Sequence, residues 1–201
     1  MIQAVIFDYG NVLSQTLDPR PRAVWEDKIG LTSGGLQQAV HNDQSWVEVQ
    51  CGRMSTAAYW NEVGKTLNLT PQEVAALRMD FYRGDSRNDD LVARIDQIRT
   101  TGLRTAILSN FSPELRTMLT QQALQQRFDA IVISAEIGVM KPAAAAYQAV
   151  LDRLALPAAR CVFIDDQAAN IAAAQALGMY GIVFRDNASC LAALDRLLIC
   201  H

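Results

Sequence analysis

Ile2-Gln-Ala-Val-Ile-Phe-Asp8-Tyr-Gly-Asn11-Val-Leu13 is the stretch that decides the fold. From Ile2 to Phe7 it is mostly apolar and rich in β-branched side chains, the composition of a strand buried on both faces. The run stops at Asp8-Tyr-Gly-Asn11, which has turn chemistry. Working outward, the same kind of segment returns at Leu103-Arg-Thr-Ala-Ile-Leu-Ser109, at 128–134, at Arg160-Cys-Val-Phe-Ile-Asp165 and at Gly181-Ile-Val-Phe184. Helices are expected between these strands: from about Asp89 to near Gly102, from Ser112-Pro113 with the hydroxyl as cap, over 143–154, up to a C′ glycine at Gly178, and over 188–199. Apolar strands alternating with helices predict an α/β fold, a doubly wound parallel sheet covered on both faces.

The stretch 18–84 is different in character. It holds all three tryptophans, Trp25, Trp46 and Trp60, and its segments are helix-like rather than alternating. Ser55 or Thr56 can cap a helix running to about Leu67. Thr70-Pro-Gln-Glu73 has a hydroxyl at N-cap, proline at the first helical position and a carboxylate three residues on, a capping-box start. These signals predict an all-helical insertion, with core boundaries at 1–15 and 87–201 and a cap at 16–86. The aromatic residues of the insertion, Tyr59 among them, are expected to form its core; the sharper alternative is an aromatic floor for a sugar.

Composition narrows the function classes. Half of the 201 residues are apolar, 19% are charged, and the formal charge is −3. A nucleic-acid partner is not expected without a basic footprint, and neither is a membrane surface without a Lys/Arg block. The apolar run Ile2–Phe7 is too short to span a bilayer and no basic region precedes it, so a cytoplasmic protein is expected. Cys51, Cys161, Cys190 and Cys200 show no paired spacing for zinc, and Cys161 reads as a small buried hydrophobe. His41 and His201 are too far apart in sequence to suggest a histidine cluster.

A parallel sheet binds ligands beyond the carboxyl ends of its strands. At those ends stand Asp8, Ser109-Asn110 and Asp165-Asp166, with Lys141 on the loop after the third strand. One candidate nucleophile, one hydroxyl, one ammonium and a carboxylate pair suit a phosphate and a divalent metal. Each residue also has a plain reading: Asp8 and Ser109 as turn residues, Lys141 as a solvated side chain, Asp165 and Asp166 as N-caps.

Phe7-Asp8-Tyr9-Gly10-Asn11-Val12-Leu13, Leu108-Ser109-Asn110, Gly138-Val-Met-Lys141-Pro142, and Phe163-Ile-Asp165-Asp166-x-x-x-Asn170 with Ala-Leu-Gly178-Met179 resemble, in order, the four motifs of the haloacid dehalogenase (HAD) superfamily. The variant is most similar to its epoxide-hydrolase-like branch, which includes sugar-phosphate phosphatases. The resemblance implies a hydrolase that releases phosphate from a small phosphorylated metabolite through an aspartyl phosphate on Asp8. It implies magnesium (Mg2+) held by Asp8, the Gly10 carbonyl and the Asp165–Asp166 pair, with Asp166 direct and Asp165 direct or through water. Lys141 would offset the repulsion between carboxylate and phosphate. Ser109, with N–H groups near Tyr9, Gly10 and Asn110, would bind phosphate oxygens.

One position departs from the family pattern. Where most of these phosphatases carry an acid–base Asp two residues after the nucleophile, this chain has Gly10, and such a group contributes about 10²–10⁴ in rate. The expectation is therefore a substrate with a good leaving group, such as an anomeric sugar phosphate, or a substitute from the cap, with Asp18, His41 and Asp43 available. The rivals are a catalytically weak or inactive HAD-fold binding or regulatory protein and a 2-haloacid dehalogenase, the second disfavoured by the acidic pair.

Overall fold

The computed structural model describes residues 1–41 and 44–200. Strand β1 (Ala4–Phe7) leads through a tight loop to β2 (Ser14–Thr16), after which come five helices, α1 (Arg20–Ile29), α2 (Gly35–His41), α3 (Gln44–Gln50), α4 (Thr56–Thr66) and α5 (Pro71–Phe81). Strand β3 (Asp85–Arg87) returns antiparallel to β2, and the chain then alternates: α6 (Asp89–Thr100), β4 (Arg104–Ser109), α7 (Leu115–Gln121), β5 (Ala130–Ile133), α8 (Ser134–Ile137), α9 (Ala144–Leu154), β6 (Cys161–Asp165), α10 (Ala168–Ala176), β7 (Tyr180–Val183) and α11 (Asn187–Cys200). The five long strands form one parallel sheet in the order β5-β4-β1-β6-β7.

Both faces of that sheet are covered, which is why its strands are continuously apolar. Val5, Phe7 and Ile107 face a cluster completed by Leu91 and Ile95 of α6, Leu115 of α7 and Leu194 of α11. Ala4, Ile6 and Leu108 point the other way, onto Tyr147 and Val150 of α9 and Ile171 of α10. Register sets the site: Phe7 lies level with Ile107 on one side and Ile164 on the other. Asp8, one residue further, is thereby flanked by the carboxyl ends of β4 and β6.

The five helices after β2 pack around a separate cluster that includes Trp25, Tyr59, Trp60, Leu77 and Phe81. Trp25, Tyr59 and Trp60 are core residues, as expected; Trp46 packs against this cluster and also faces a cleft described below. Ser55 caps α4 by accepting from the Ala58 N–H, and Thr70 and Glu73 form the reciprocal capping box of α5. Gly178 follows α10 with φ of 90°, a left-handed position that glycine fills without strain. Among the described residues no helix is long and apolar enough to cross a membrane.

One expectation needs correcting. Ser112 does not cap a helix: α7 begins at Leu115, no side chain caps it, and the Ser112 hydroxyl donates instead to Glu114. A short two-stranded ribbon borders the insertion, a feature not expected from the sequence. Ser-Gln-Thr and Asp-Ser-Arg, neither apolar nor alternating, pair as β2 and β3 because Leu13 and Gly84 bring them together: the Leu13 carbonyl accepts from the Asn88 N–H, and that of Gly84 from the N–H groups of Leu17 and Asp18.

The crossing at Gly84 is tight, since a Cβ there would stand 1.8 Å from the Asp18 carbonyl oxygen. Gly84→Ala must therefore push the two strands of the crossing apart, and thermal melting is expected to fall by about 5 °C or more. An unchanged melting temperature would show that the crossing is slack.

Candidate active site

The tight loop after β1 builds the first part of the site. The Tyr9 carbonyl accepts from the N–H groups of Val12, Leu13 and Ser14, and Asn11 takes a left-handed conformation at φ 57°, which asparagine tolerates. This coil turns the Tyr9 side chain into the core, where its hydroxyl donates to Gln122, and leaves only the Tyr9 backbone at the site. The Tyr9 N–H donates to Asp8 Oδ1 at 2.7 Å.

Lys141 Nζ lies 3.0 Å from Asp8 Oδ1 and 2.6 Å from Asp165 Oδ2. It is 4% exposed, which rules out the solvated-lysine reading; Asp8 and Asp165 are 7% and 0% exposed. Asn110 fixes the lysine's backbone by a reciprocal pair, donating to the Lys141 carbonyl at 2.9 Å and accepting from its N–H at 2.8 Å. Asp165 is saturated: it also accepts from the Gln167 N–H and from Asn170 Nδ2. Asp166, partly exposed, accepts from Asn11 Nδ2 at 2.9 Å. Ser109 ends β4, buried, and borders the same cleft as Asp8, Gly10, Asn110, Lys141 and Asp166.

Asp8, Asp165 and Asp166 each offer a carboxylate oxygen, and the three lie within 4.8 Å of one another. Hard oxygen donors this close suit a divalent cation such as magnesium. Asp166 has the freer carboxylate, whereas protein donors already engage both oxygens of Asp165. Burial pushes the Asp8 carboxyl up to about 6, with Lys141 pulling it down and Asp165 adding to the rise.

The cleft holds about 880 Å³ and runs from these groups to the cap, where Arg22, His41, Trp46, Gln50, Tyr82 and Asp85 face it. Of the cap candidates, Asp18 is not on its wall: it is exposed and paired with Arg20. His41 is on the wall, and Asp43 lies outside the described residues. Arg22, Gln50, Tyr82 and Asp85 carry no local motif, and the supporting roles of Asn11 and Asn170 depend on partners more than a hundred residues away or on a helix start. The motifs contain Asn11 and Asn170 without giving them these partners, and no local signal marks the other four.

A family model for haloacid dehalogenase-like hydrolases matches residues 2–178. The chain is 27% identical to a sesquiterpene phosphatase of Aspergillus oryzae over 98% of its length and 97% of that protein. It is also 27% identical to a drimenol cyclase of Aspergillus calidoustus over 92% of its length, but spans only 34% of that protein. Its fold matches that of a HAD family enzyme from Bacteroides thetaiotaomicron, solved in complex with magnesium and inorganic phosphate, with a TM-score of 0.79, 17% identity, and coverage of 95% of this chain and 99% of that one. The chain belongs to the haloacid dehalogenase-like hydrolases.

The raised Asp8 value has a consequence for stability. The folded chain holds that proton more tightly than the unfolded one, whose carboxyl keeps its ordinary 3.8, so Asp8 costs stability as pH rises from about 4 through about 6. Asp8→Asn is thus expected to raise the melting temperature of the metal-free protein by roughly 5 °C at pH 7.5 and to have little effect near pH 4. Equal shifts at both pH values would contradict this assignment.

Proposed function

We propose that this hydrolase is a magnesium-dependent phosphomonoesterase of small phosphorylated metabolites, with Asp8 as its nucleophile. The observation that carries the reading is the buried Lys141 ammonium bonded to Asp8 and Asp165, with the Asp166 carboxylate in reach of both. Asp8 Oδ1 takes the bonds from Lys141 and the Tyr9 N–H, so Oδ2 is the attacking oxygen. Attack forms a bond from Oδ2 to phosphorus and breaks the bond to the ester oxygen, which leaves as the alcohol after taking a proton from water. Water then attacks phosphorus, the bond to Asp8 breaks, and inorganic phosphate and the free carboxylate result.

Lys141 lowers the repulsion between the carboxylate and the incoming anion. Ser109 and the N–H groups of Gly10 and Asn110 bind phosphate oxygens, while the Tyr9 N–H stays with Asp8 Oδ1. Asp8, Asp166 and the Gly10 carbonyl would hold magnesium, with Asp165, its carboxylate oriented by Asn170 and Gln167, as a further ligand or support. When bound, the ion neutralises charge on the transferring phosphoryl group. Names among the relatives support phosphate chemistry: one is a phosphatase.

Gly10 leaves the leaving oxygen without a side-chain acid, and space is open there: a Cβ on Gly10 meets nothing within 4 Å. Two outcomes follow. Phosphate release assayed with magnesium is expected to fall at least about 10³-fold in Asp8→Asn and to stop when the metal is chelated. Gly10→Asp is expected to raise kcat by about tenfold or more on phosphates of poor leaving groups, with a smaller gain on aryl phosphates. Release that is indifferent to Asp8→Asn would remove the nucleophile, and no gain in Gly10→Asp would mean that the cap already supplies the acid.

A further inference from the structure

The cap wall of the cleft contains polar side chains that are occupied with one another. Arg22 donates to the Phe81 carbonyl, to Asp85 at 2.8 Å and to Gln37 Oε1 at 2.5 Å, and its guanidinium stacks on the Phe81 ring. Gln50, with its amide turned to suit its neighbours, donates to the Asn110 carbonyl and accepts from Trp46 Nε1. Glu26 accepts from the Leu36 N–H.

The chain of bonds from Asp85 through Arg22 and Gln37 ends on His41 and fixes its tautomer. Gln37 Oε1 faces Arg22, so its Nε2 donates to His41 Nδ1 at 2.8 Å. Burial holds this imidazole neutral, its pKa pushed down to about 4 with Arg22 adding to the effect. With Nδ1 accepting, Nε2 must carry the hydrogen. That Nε2–H is buried and has no acceptor among the described residues. The hydroxyl of Tyr82, a residue that lines the same cleft, is likewise buried without a partner among the described residues. Unpaired buried polar atoms are costly and uncommon, and two on one cleft wall ask for a ligand.

Between the cap and the core the cleft also carries an aromatic and thioether patch. Trp46 stacks on His41 with centroids 4.4 Å apart and meets Phe111 edge-on at 5.8 Å, and Tyr82 lies 6.1 Å from Phe111. Met118 and Met140 also face the cleft. Such a surface suits hydrocarbon better than a polyol, whose hydroxyls would lose water without gaining partners.

We propose that His41 and Tyr82 recognise an oxygen function on the leaving group of the substrate, and that this leaving group is otherwise largely hydrocarbon, seated against Trp46 and Phe111. The proposal rests on the phosphomonoesterase reading and names its substrate class: a phosphate monoester of an apolar alcohol that bears one further neutral oxygen. A sugar phosphate, the expectation from sequence, fits this wall poorly.

The test measures binding, not turnover, on the magnesium-loaded protein, by calorimetry with four probes: benzylphosphonate, 4-hydroxybenzylphosphonate, 2,3-dihydroxypropylphosphonate and inorganic phosphate. Benzylphosphonate should bind at least about tenfold more tightly than the dihydroxypropyl probe, and the added hydroxyl should strengthen binding by about five- to tenfold. Tyr82→Phe should reduce the hydroxyl advantage without lowering the melting temperature, since it removes an unpaired buried hydroxyl; His41→Phe should reduce the advantage as well, with the bond from Gln37 to Nδ1 lost alongside. A merely structural role would instead lower the melting temperature and leave the preference in place. Tighter binding of the dihydroxypropyl probe, or a hydroxyl advantage that survives both substitutions, overturns the inference while the phosphatase reading stands. Failure of inorganic phosphate itself to bind overturns both.

Discussion

Everything at this site depends on one buried ammonium held between carboxylates from neighbouring strands. Lys141 lies between Asp8 and Asp165, and neither acid is free to leave, because one directly follows β1 and the other ends β6. A buried charge that loses its partner is strongly destabilising, so this arrangement constrains the architecture around it. The strand order puts β1 between β4 and β6, which brings the three strand ends together. The loop that delivers Lys141 is tied to the end of β4 through the two-way bond with Asn110. Three carboxylates against one ammonium leave two negative charges when all are ionised, which a divalent cation would balance.

Much of this was legible in the chain. The five parallel strands announced themselves because both sheet faces are covered, which makes their sequences continuously apolar. Ser55, Thr70 with Glu73, and Gly178 marked helix ends through local chemistry. Asp8, Ser109, Lys141, Asp165 and Asp166 were readable as one site because a parallel sheet gathers its strand ends. Other features depended on distant partners. Asn11 meets Asp166 from 155 residues away, and Asn110 meets Lys141 across 31. The β2–β3 pairing has no apolar pattern to betray it. Tyr9 was read as offering a backbone N–H to the phosphate site; its backbone is there, but that N–H is held by Asp8 Oδ1, and the ring is sent into the core by the coil that forms the loop.

The cap divides the labour with the core. The carboxylates, the ammonium and the Ser109 hydroxyl lie on the core side, while the cap wall facing them pairs Arg22 with Asp85 and presents Trp46 and Tyr82. Gly10 lines the cleft on the core side, with room above it and no acid on it. In the proposed function, chemistry on rigid strand ends and selectivity on an inserted helical unit would let the second change without disturbing the first.

The measurement that bears most directly on the charge balance is titration of the metal-free protein with magnesium by calorimetry, in parallel with Asp166→Ala. The account predicts a single ion per chain for the natural sequence and an affinity at least about tenfold weaker in the variant, because the freest carboxylate of the three is lost. Equal affinity in both proteins, or no binding to either, would show that these carboxylates do not share an ion.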